Sequence, residues 1–444
     1  MRHELPVGAL SSISVRIALC HPLDYNLRVP GRLHHNCEQT QQTMSDTENI
    51  SKKSHRWQTA KGLAAIALVV GFMIALSRMF LAALPDVTEM SATFSTQAAF
   101  LKRISLPPGF QINLYAADLG RARGMVLTPK GDIIVASPGT ELKLVKADSS
   151  GRGRTDGVET LMDRMRSPHG LLLDGDWLYI AETGRVIRIR YDAEKGQVVG
   201  EREVMVDGIP TGDGYWSRSI NKGPDGWFYV SIGASCDACV EDHPWRASMI
   251  RFLPGEKPEI YATGLRNTIG FDWHPQTGAL YGVDMGRNRL GNDIPPDEVN
   301  VIVKDGFYGW PYIHGDDIPD PDLGARGAER ASEARKPVFN LGAHVSPMAI
   351  RFLCHSKAPG YGSAALVTQH GSWNRRERVG FNVVSLHWND DGSITQKIFL
   401  TGFDALNEVS GRPLDIVEAG DGTLYIGDDF SGVIWRVAYQ SPSS

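Results

Sequence analysis

The sequence predicts an all-β protein, a six-bladed β-propeller that follows an N-terminal transmembrane or signal segment. Two observations lead to this fold class. The chain of 444 residues contains 47 glycines and 25 prolines, a composition that favours many short strands and turns over helices. A turn followed by an apolar strand also recurs six times, and such repetition is typical of blades arranged in a ring.

The six copies of the repeat begin at turns and continue into strands, and they occupy residues 131–135, 175–180, 225–230, 278–281, 362–367 and 421–426. Apolar and polar positions alternate, as expected for strands with one face buried against the next blade. A further strand, at residues 110–116, precedes the first copy. We expect it to complete the last blade and close the ring, because closure covers exposed sheet edges. The predicted propeller spans residues 104–440.

The N-terminal part divides into two segments. Residues 1–61 form an extension that becomes basic near its end, and residues 62–84 form an apolar segment interrupted near its middle by Arg78. The segment is long enough to cross a bilayer, and its uninterrupted first part also has the size of a signal-peptide core. The basic flank precedes it, which predicts a propeller on the outer side. We therefore expect an inner-membrane anchor with the propeller in the periplasm, or a periplasmic protein if the segment is cleaved.

Charged and turn-forming residues concentrate between residues 264 and 311. Arg266 and Asn267 follow a glycine, in a loop suited to holding an anionic ligand. Four acidic residues, Asp284, Asp293, Asp297 and Glu298, lie in or beside a loop rich in Gly, Pro and Asn. This composition suits a cation with oxygen ligands such as Ca²⁺. The net charge of −5 is spread along the chain and predicts no nucleic-acid partner.

Several motifs in and after this region resemble one family. They are Gly264-Leu265-Arg266-Asn267, Pro295-Pro296-Asp297-Glu298, Tyr308-Gly309-Trp310-Pro311 and His370-Gly371-Ser372-Trp373-Asn374-Arg375. They resemble motifs of the sorbosone dehydrogenases and soluble aldose sugar dehydrogenases, six-bladed propellers that use pyrroloquinoline quinone (PQQ). The resemblance extends from about Leu106 to Tyr439 and implies PQQ and Ca²⁺ as cofactors. It implies oxidation of an aldose or related aldehyde, with electrons passed to a respiratory acceptor such as a quinone or cytochrome c.

The resemblance also implies roles for individual residues. Arg266 and Asn267 match the pair that contacts the cofactor, although Arg266 could instead brace a loop between blades. Gly286 and Arg287 match the positions whose carbonyls hold the catalytic Ca²⁺. Asp297 and Glu298 are candidates for a second, structural cation or for ion pairs within the loop.

Two residues of the fifth-blade motif are further cofactor candidates. Trp373 could stack on the planar quinone, and Arg375 could pair with one of its carboxylates. The alternative for Trp373 is a place in the hydrophobic core.

The proton acceptor departs from the family pattern. Where the family carries a catalytic His, this chain has Tyr215, in Tyr215-Trp216-Ser217-Arg218. A tyrosine is a poor base near neutral pH unless cations lower its pKa, and Arg218 is a candidate for that effect. His169 could replace the missing base or could be a structural residue, and His344 and His370 are further candidates.

Cys236 and Cys239 form a C-x-x-C pair with no His following and no second pair to complete a zinc site. We expect a local disulfide bond in an exported protein.

Two rival functions stay open: a propeller that binds a sugar or a protein without turnover, and a Ca²⁺-dependent lactonase-like hydrolase.

Overall fold

A computed structural model describes residues 100–137, 139–405 and 408–441. The predicted extension at residues 1–61 and the predicted membrane or signal segment at residues 62–84 lie outside these ranges. Within the described ranges, no helix combines the length and the apolar character needed to span a membrane.

The described chain folds into six antiparallel sheets, or blades, around a central channel. The prediction of an all-β six-bladed propeller is confirmed. In chain order, the strands of the first three blades are Met125–Leu127, Ile133–Ser137, Glu141–Val145 and Val158–Met162; Pro168–Asp174, Trp177–Glu182, Arg185–Asp192 and Gln197–Asp207; and Arg218–Lys222, Phe228–Ile232, Ser248–Phe252 and Glu259–Thr263, with Gly306–Phe307 added in parallel.

The strands of the last three blades are Thr268–Trp273, Leu280–Asp284, Asp297–Ile302 and Phe339–Gly342; Pro347–Phe352, Ala365–Gln369, Asn382–Trp388 and Ile394–Leu400; and Pro413–Glu418, Leu424–Asp428, Val433–Tyr439 and Phe110–Ala116. The connections carry two small hairpins (Ile313–His314 with Ile318–Pro319, Asp404–Ala405 with Glu408–Val409), a 3₁₀ turn at Gly324–Gly327 and a short helix at Ala328–Ala331.

Ring closure occurs where we expected it. Phe110–Ala116 pairs antiparallel with Val433–Tyr439, with Phe110 opposite Tyr439 and Leu114 opposite Trp435. The sixth blade is thus built from both ends of the propeller, which removes a free edge. All six predicted repeat copies lie on the second strands of their blades.

The first strand of each blade lines the channel, and glycines let neighbouring first strands approach closely. A Cβ on Gly170 would lie 2.8 Å from the Ser219 Cα, and one on Gly270 would lie 2.5 Å from the Ala349 Cα. The hydrophobic core lies between blades, where side chains such as Leu178, which is fully buried, pack.

The segment 313–341 is a long connection that carries regular structure. It contains a hairpin and two short helical turns, and it returns as the outer strand Phe339–Gly342 of the fourth blade. Asp320 and Asp322 in this segment pair with the guanidinium of Arg287.

Candidate functional site

The candidate site lies at one end of the channel, which we call the mouth, where first strands begin and second strands end. Every blade contributes polar residues to it. In blade order they are Arg123, His169, Tyr215 with Trp216, Arg266 with Asn288, His370 with Asn374, and Arg412 with Asp429. The propeller topology therefore gathers residues that are far apart in the sequence into one ring.

Arg266 is held by loops on either side of it. Its guanidinium donates to the carbonyl of Asp237 (3.0 Å), to a carboxylate oxygen of Asp237 (2.5 Å), and to the carbonyls of Met285 (3.1 Å) and Gly286 (2.8 Å). The side chain is 2% exposed. The structure thus shows Arg266 in the bracing role that we considered as the alternative to direct cofactor contact.

Asn267 lies next to this brace and shares a neighbour with Tyr215. Its backbone N–H donates to Asp284 (2.7 Å), and its side-chain amide contacts the sulfur of Met285 (3.3 Å). A Cβ on Gly233 would lie 2.5 Å from the Asn267 Oδ1 and 2.6 Å from the Tyr215 Cβ. A glycine is therefore needed between these two side chains.

Tyr215 is half-buried and packs against Arg266, whose guanidinium carbon lies 5.0 Å from the centre of the phenol ring. Burial raises the pKa of the Tyr215 phenol, and the positive charge of Arg266 offsets this only in part. The phenol is therefore protonated at neutral pH, which makes it unsuited to accept a proton.

Arg218 does not assist Tyr215 in the way we expected. Its guanidinium donates to the backbone carbonyls of Tyr215, Ser217 and Pro210, each at 2.8 Å, rather than approaching the phenol oxygen. The side chain is fully buried. Arg218 thus fixes the path of the loop before the third blade, and Arg266 is the cation that acts on the phenol.

His169 lies at the start of the first strand of the second blade and lines the channel. Its ring packs edge-on against Trp216 at 5.8 Å, and neither ring nitrogen makes a hydrogen bond with a described residue. Burial, together with the charge of Arg123, lowers the pKa of His169 to about 3. The imidazole is therefore neutral and weakly basic.

A connected polar cluster lies on the other side of the mouth. The Nε2 of His370 lies 2.6 Å from Asp429, whose second oxygen pairs with Arg123 at 3.2 Å. Arg412 approaches the Nδ1 of His370 at 3.4 Å. Arg123 also lies over the ring of Trp216 at 5.5 Å, so this cluster reaches the Tyr215–Trp216 pair.

The predicted cofactor residues of the fifth blade lie on the rim. Trp373 is 64% exposed, which excludes the alternative that it is a core residue. Asn374 donates to Asn288 (2.9 Å), and its own carbonyl is buried without a hydrogen bond to a described residue. Arg375 donates to the carbonyl of Asn292 (2.6 Å) and pairs with Asp293 (3.2 Å).

The calcium-binding role of the Gly286 and Arg287 carbonyls stays a prediction. The Gly286 carbonyl accepts the hydrogen bond from Arg266, which places a positive charge where a cation was expected. The side chain of Arg287 is held by Asp320 and Asp322. Its buried Nε makes no hydrogen bond with a described residue.

Three buried carboxylates lie behind the mouth. Asp297 accepts from the N–H groups of Gly286 (2.8 Å) and Ser346 (2.7 Å). Burial raises the pKa of Asp284 to about 6, of Asp297 to about 7 and of Glu298 to about 8. Among the described residues, no further Asp, Glu, His or Cys joins Asp297 and Glu298 in a compact ligand group. The second cation therefore stays a prediction.

Cys236 and Cys239 form a disulfide bond, and the residue between them that matters most is one the sequence did not single out. Asp237 accepts from Arg266, from the backbone and side chain of Asn288 (2.9 and 3.0 Å), and from the indole of Trp310 (3.1 Å). The C-x-x-C spacing predicted the disulfide bond of this loop, but nothing in the sequence indicated that Asp237 accepts hydrogen bonds from three other residues.

The mouth fits a planar anionic ligand such as PQQ in part. Buried polar atoms of His169, Arg123, Arg287 and Asn374 make no hydrogen bond with described residues, and an unpaired buried polar atom is costly unless something satisfies it. Trp373 presents an exposed ring beside them. The direct contact expected from Arg266 fits poorly, because four of its five N–H donors bond to Asp237, Met285 and Gly286.

Comparisons with known proteins agree with the motifs. Residues 242–436 match the glucose/sorbosone dehydrogenase family model, and residues 104–305 match a TrAA12-like family model. The resemblance predicted from the sequence is thus confirmed. An uncharacterised protein of Borreliella burgdorferi is 26% identical over 368 residues, which is 76% of this chain and 91% of the relative.

Solved structures share the propeller. The family AA12 enzyme of Trichoderma reesei is 20% identical with a TM-score of 0.66, over 76% of this chain and 98% of that one. The PQQ domain of pyranose dehydrogenase from Coprinopsis cinerea is 19% identical with a TM-score of 0.65, over 75% and 96%. The PQQ-bound aldose sugar dehydrogenase of Streptomyces coelicolor is 19% identical with a TM-score of 0.55, over 76% and 100%.

Proposed function

From the match to the glucose/sorbosone dehydrogenase family, we propose that this protein is a PQQ-dependent oxidoreductase that oxidises an aldose or a related aldehyde at the channel mouth. One observation of the structure supports this most directly. Polar residues from all six blades meet there, and several of their buried atoms are unpaired and available to a ligand.

Four residues of this chain are the best candidates to hold the cofactor. The ring of Trp373 offers a stacking face, and the side-chain carbonyl of Asn374 offers an acceptor. Arg375 and Arg287 offer guanidinium groups, each of which is also paired with carboxylates of this chain. When bound, PQQ supplies a two-electron acceptor for the hydride removed from the sugar. Arg266 and Asp237 contribute indirectly, because they fix the loops that carry Arg287 and Asn288.

The structure offers less support for Ca²⁺ than for PQQ. Ca²⁺ prefers oxygen ligands such as backbone carbonyls, but the Gly286 carbonyl is engaged by a guanidinium. We therefore assign no chemical step to Ca²⁺ and treat it as a variable in the experiment. We further propose a respiratory electron acceptor and a propeller in the periplasm, either anchored to the inner membrane or released from it. The Cys236–Cys239 disulfide supports the latter, since such bonds persist in oxidising compartments.

The test is a titration of the purified protein with PQQ, with and without Ca²⁺, followed by absorption. We expect saturable binding that weakens in Trp373→Ala. Trp227→Ala is a matched control, because Trp227 packs under Arg251 at the opposite end of the third blade. Dye reduction that depends on an added aldose would then report turnover. Absence of quinone binding would contradict the proposal.

A second candidate is a propeller that binds a sugar or a protein without catalysis. Two observations favour it: Tyr215 replaces the family's base and has a raised pKa, and four of the five N–H donors of Arg266 are already used. The same titration separates the two functions, because a binding propeller would show neither bound quinone nor dye reduction.

A further inference from the structure

Oxidation of a sugar hydroxyl or an aldehyde hydrate needs a group that accepts the hydroxyl proton. Tyr215 is unsuited because its phenol is protonated, and His169 is unsuited because its pKa of about 3 makes it too weak a base. His344 is bonded through Nε2 to the carbonyl of Gly291 at 2.7 Å. Of the candidate histidines named from the sequence, His370 is the one bound to a carboxylate.

We propose that His370, oriented by Asp429, accepts the substrate proton in place of residue 215. This inference rests on the proposed function, because it names the base for that reaction. His370 follows the second strand of the fifth blade, and Asp429 follows the second strand of the sixth. The two side chains meet across the boundary between blades at 2.6 Å.

The carboxylate determines which ring nitrogen is free. Asp429 is held ionised, because its hydrogen bond to His370 and the charges of Arg123 and Arg412 outweigh burial and lower its pKa. An ionised carboxylate only accepts hydrogen bonds, so the Nε2 of His370 carries the proton and donates it to Asp429. The Nδ1 then has a lone pair, which is the form that a base requires.

The Nδ1 of His370 lies beside Arg412, whose contact with it is long enough for a substrate hydroxyl to replace. The Nη1 of Arg412 lies 3.4 Å from Nδ1, which is longer than an ordinary N–H···N or N–H···O bond. A substrate hydroxyl could take this place and donate to Nδ1, while Arg412 turns to the hydroxyl oxygen. The His370 side chain is 16% exposed, so the mouth gives access to it.

The resulting step balances in atoms and electrons. The O–H proton of the substrate would pass to Nδ1 of His370 as the C=O bond forms. The C–H bond on the same carbon would be lost as hydride, and bound PQQ would supply the acceptor for its two electrons. Asp429 stabilises the imidazolium, and Arg412 stabilises the negative charge that develops on the oxygen.

A first experiment tests the arrangement without turnover. Nitrogen NMR of protein labelled at histidine, without any cofactor, reports the tautomer of each ring. We expect a proton on Nε2 of His370, bonded to Asp429, in the wild type and a loss of that preference in Asp429→Asn. A His370 protonated on Nδ1 in the wild type would overturn the proposal.

A second experiment tests the chemistry. In PQQ-loaded protein, His370→Asn and His370→Ala should lower aldose-dependent dye reduction about 10²–10⁴-fold, the usual contribution of a general base, while PQQ affinity is kept. Added imidazole should restore part of the rate in His370→Ala, which a purely structural role would not allow. His355→Asn is the control, since His355 is exposed and away from the mouth.

The outcomes separate the two levels of the argument. If the wild type turns over and both His370 variants keep its rate, the proton-acceptor proposal is overturned and the proposed function stands. If the wild type binds no PQQ and reduces no dye, both the proposed function and the proton-acceptor proposal are overturned.

Discussion

Glu298→Gln should stabilise the protein at alkaline pH. Glu298 is 8% exposed and lies across the strand pair from Asp284. Burial raises the pKa of Glu298 to about 8, and the charge of Asp284 adds to this. One pKa unit corresponds to about 1.4 kcal/mol, so ionising this group in the folded state costs on the order of 5 kcal/mol relative to the unfolded chain.

The direction of the pH dependence follows from the raised pKa. The folded protein keeps a proton on Glu298 that the unfolded chain releases. The stability linked to this group is therefore complete below its ordinary pKa and is lost as the pH rises through about 8. Between about pH 5 and pH 8, this one group should lower the free energy of unfolding by roughly 3 kcal/mol.

Glutamine should remove this dependence without losing the local hydrogen bonds. Gly315 donates to one oxygen of Glu298 at 2.7 Å, and the amide nitrogen of Asn300 donates to the other at 3.1 Å. The Asn300 carbonyl oxygen makes no hydrogen bond with a described residue. A rotated Asn300 amide can thus accept from the new glutamine.

The assay is urea unfolding of both proteins from about pH 5 to about pH 8 in a chelator. Glu298→Gln should gain most at the alkaline end, whereas Glu201→Gln, at an exposed position of an outer strand, should follow the wild type. Equal pH dependence in Glu298→Gln and wild type would refute the reasoning. Stabilisation of only the wild type by Ca²⁺ would instead support the predicted second cation at Asp297 and Glu298.

Three further predictions follow from the fold and the mouth. Arg266→Ala should lower the free energy of unfolding by on the order of 3 kcal/mol, because it leaves the acceptors around a buried guanidinium unpaired; a stability within about 0.5 kcal/mol of the wild type in urea would contradict this. The double change Cys236→Ser and Cys239→Ser should cost about 2 kcal/mol, as expected for a short closed loop, and should weaken PQQ binding through Asp237; unaltered PQQ affinity would show that Asp237 does not depend on the disulfide. Deleting residues 1–84 should leave a folded propeller, because Phe110–Ala116 closes the ring from within the remaining chain; a non-cooperative thermal transition of the truncated protein would show that the boundary is wrong.

The fold was predictable because each blade repeats one local pattern. A turn followed by an alternating strand marks the second strand of each of the six blades in the sequence. Because this strand lies inside its blade, its position fixes where the neighbouring strands pair. The closing strand was predictable for a related reason, since an unpaired strand ahead of the first repeat has only the last blade to join.

The site was less predictable because its contacts join distant parts of the chain. Asn374 meets Asn288, and His370 meets Asp429, only after the ring has closed. Asp237 was missed because the cysteines beside it gave the loop a sufficient structural explanation. Arg218 was assigned to the phenol of Tyr215 from proximity in sequence, whereas its donors serve backbone carbonyls. Sequence identifies residue types at the mouth, but the partners that set their chemistry come from other blades.

The departure from the family pattern at residue 215 lies on one side of the mouth. On the side of the third and fourth blades, Tyr215 occupies the position of the family's base, and the arginine that should meet the cofactor is bound internally. The side formed by the fifth, sixth and first blades keeps a carboxylate–imidazole pair flanked by two arginines. Both sides border the same channel, so a base on the second side is reachable by a substrate that the first side no longer deprotonates. The loss of the family's histidine therefore argues against its proton-transfer route, and it leaves the oxidation itself open to a route through His370.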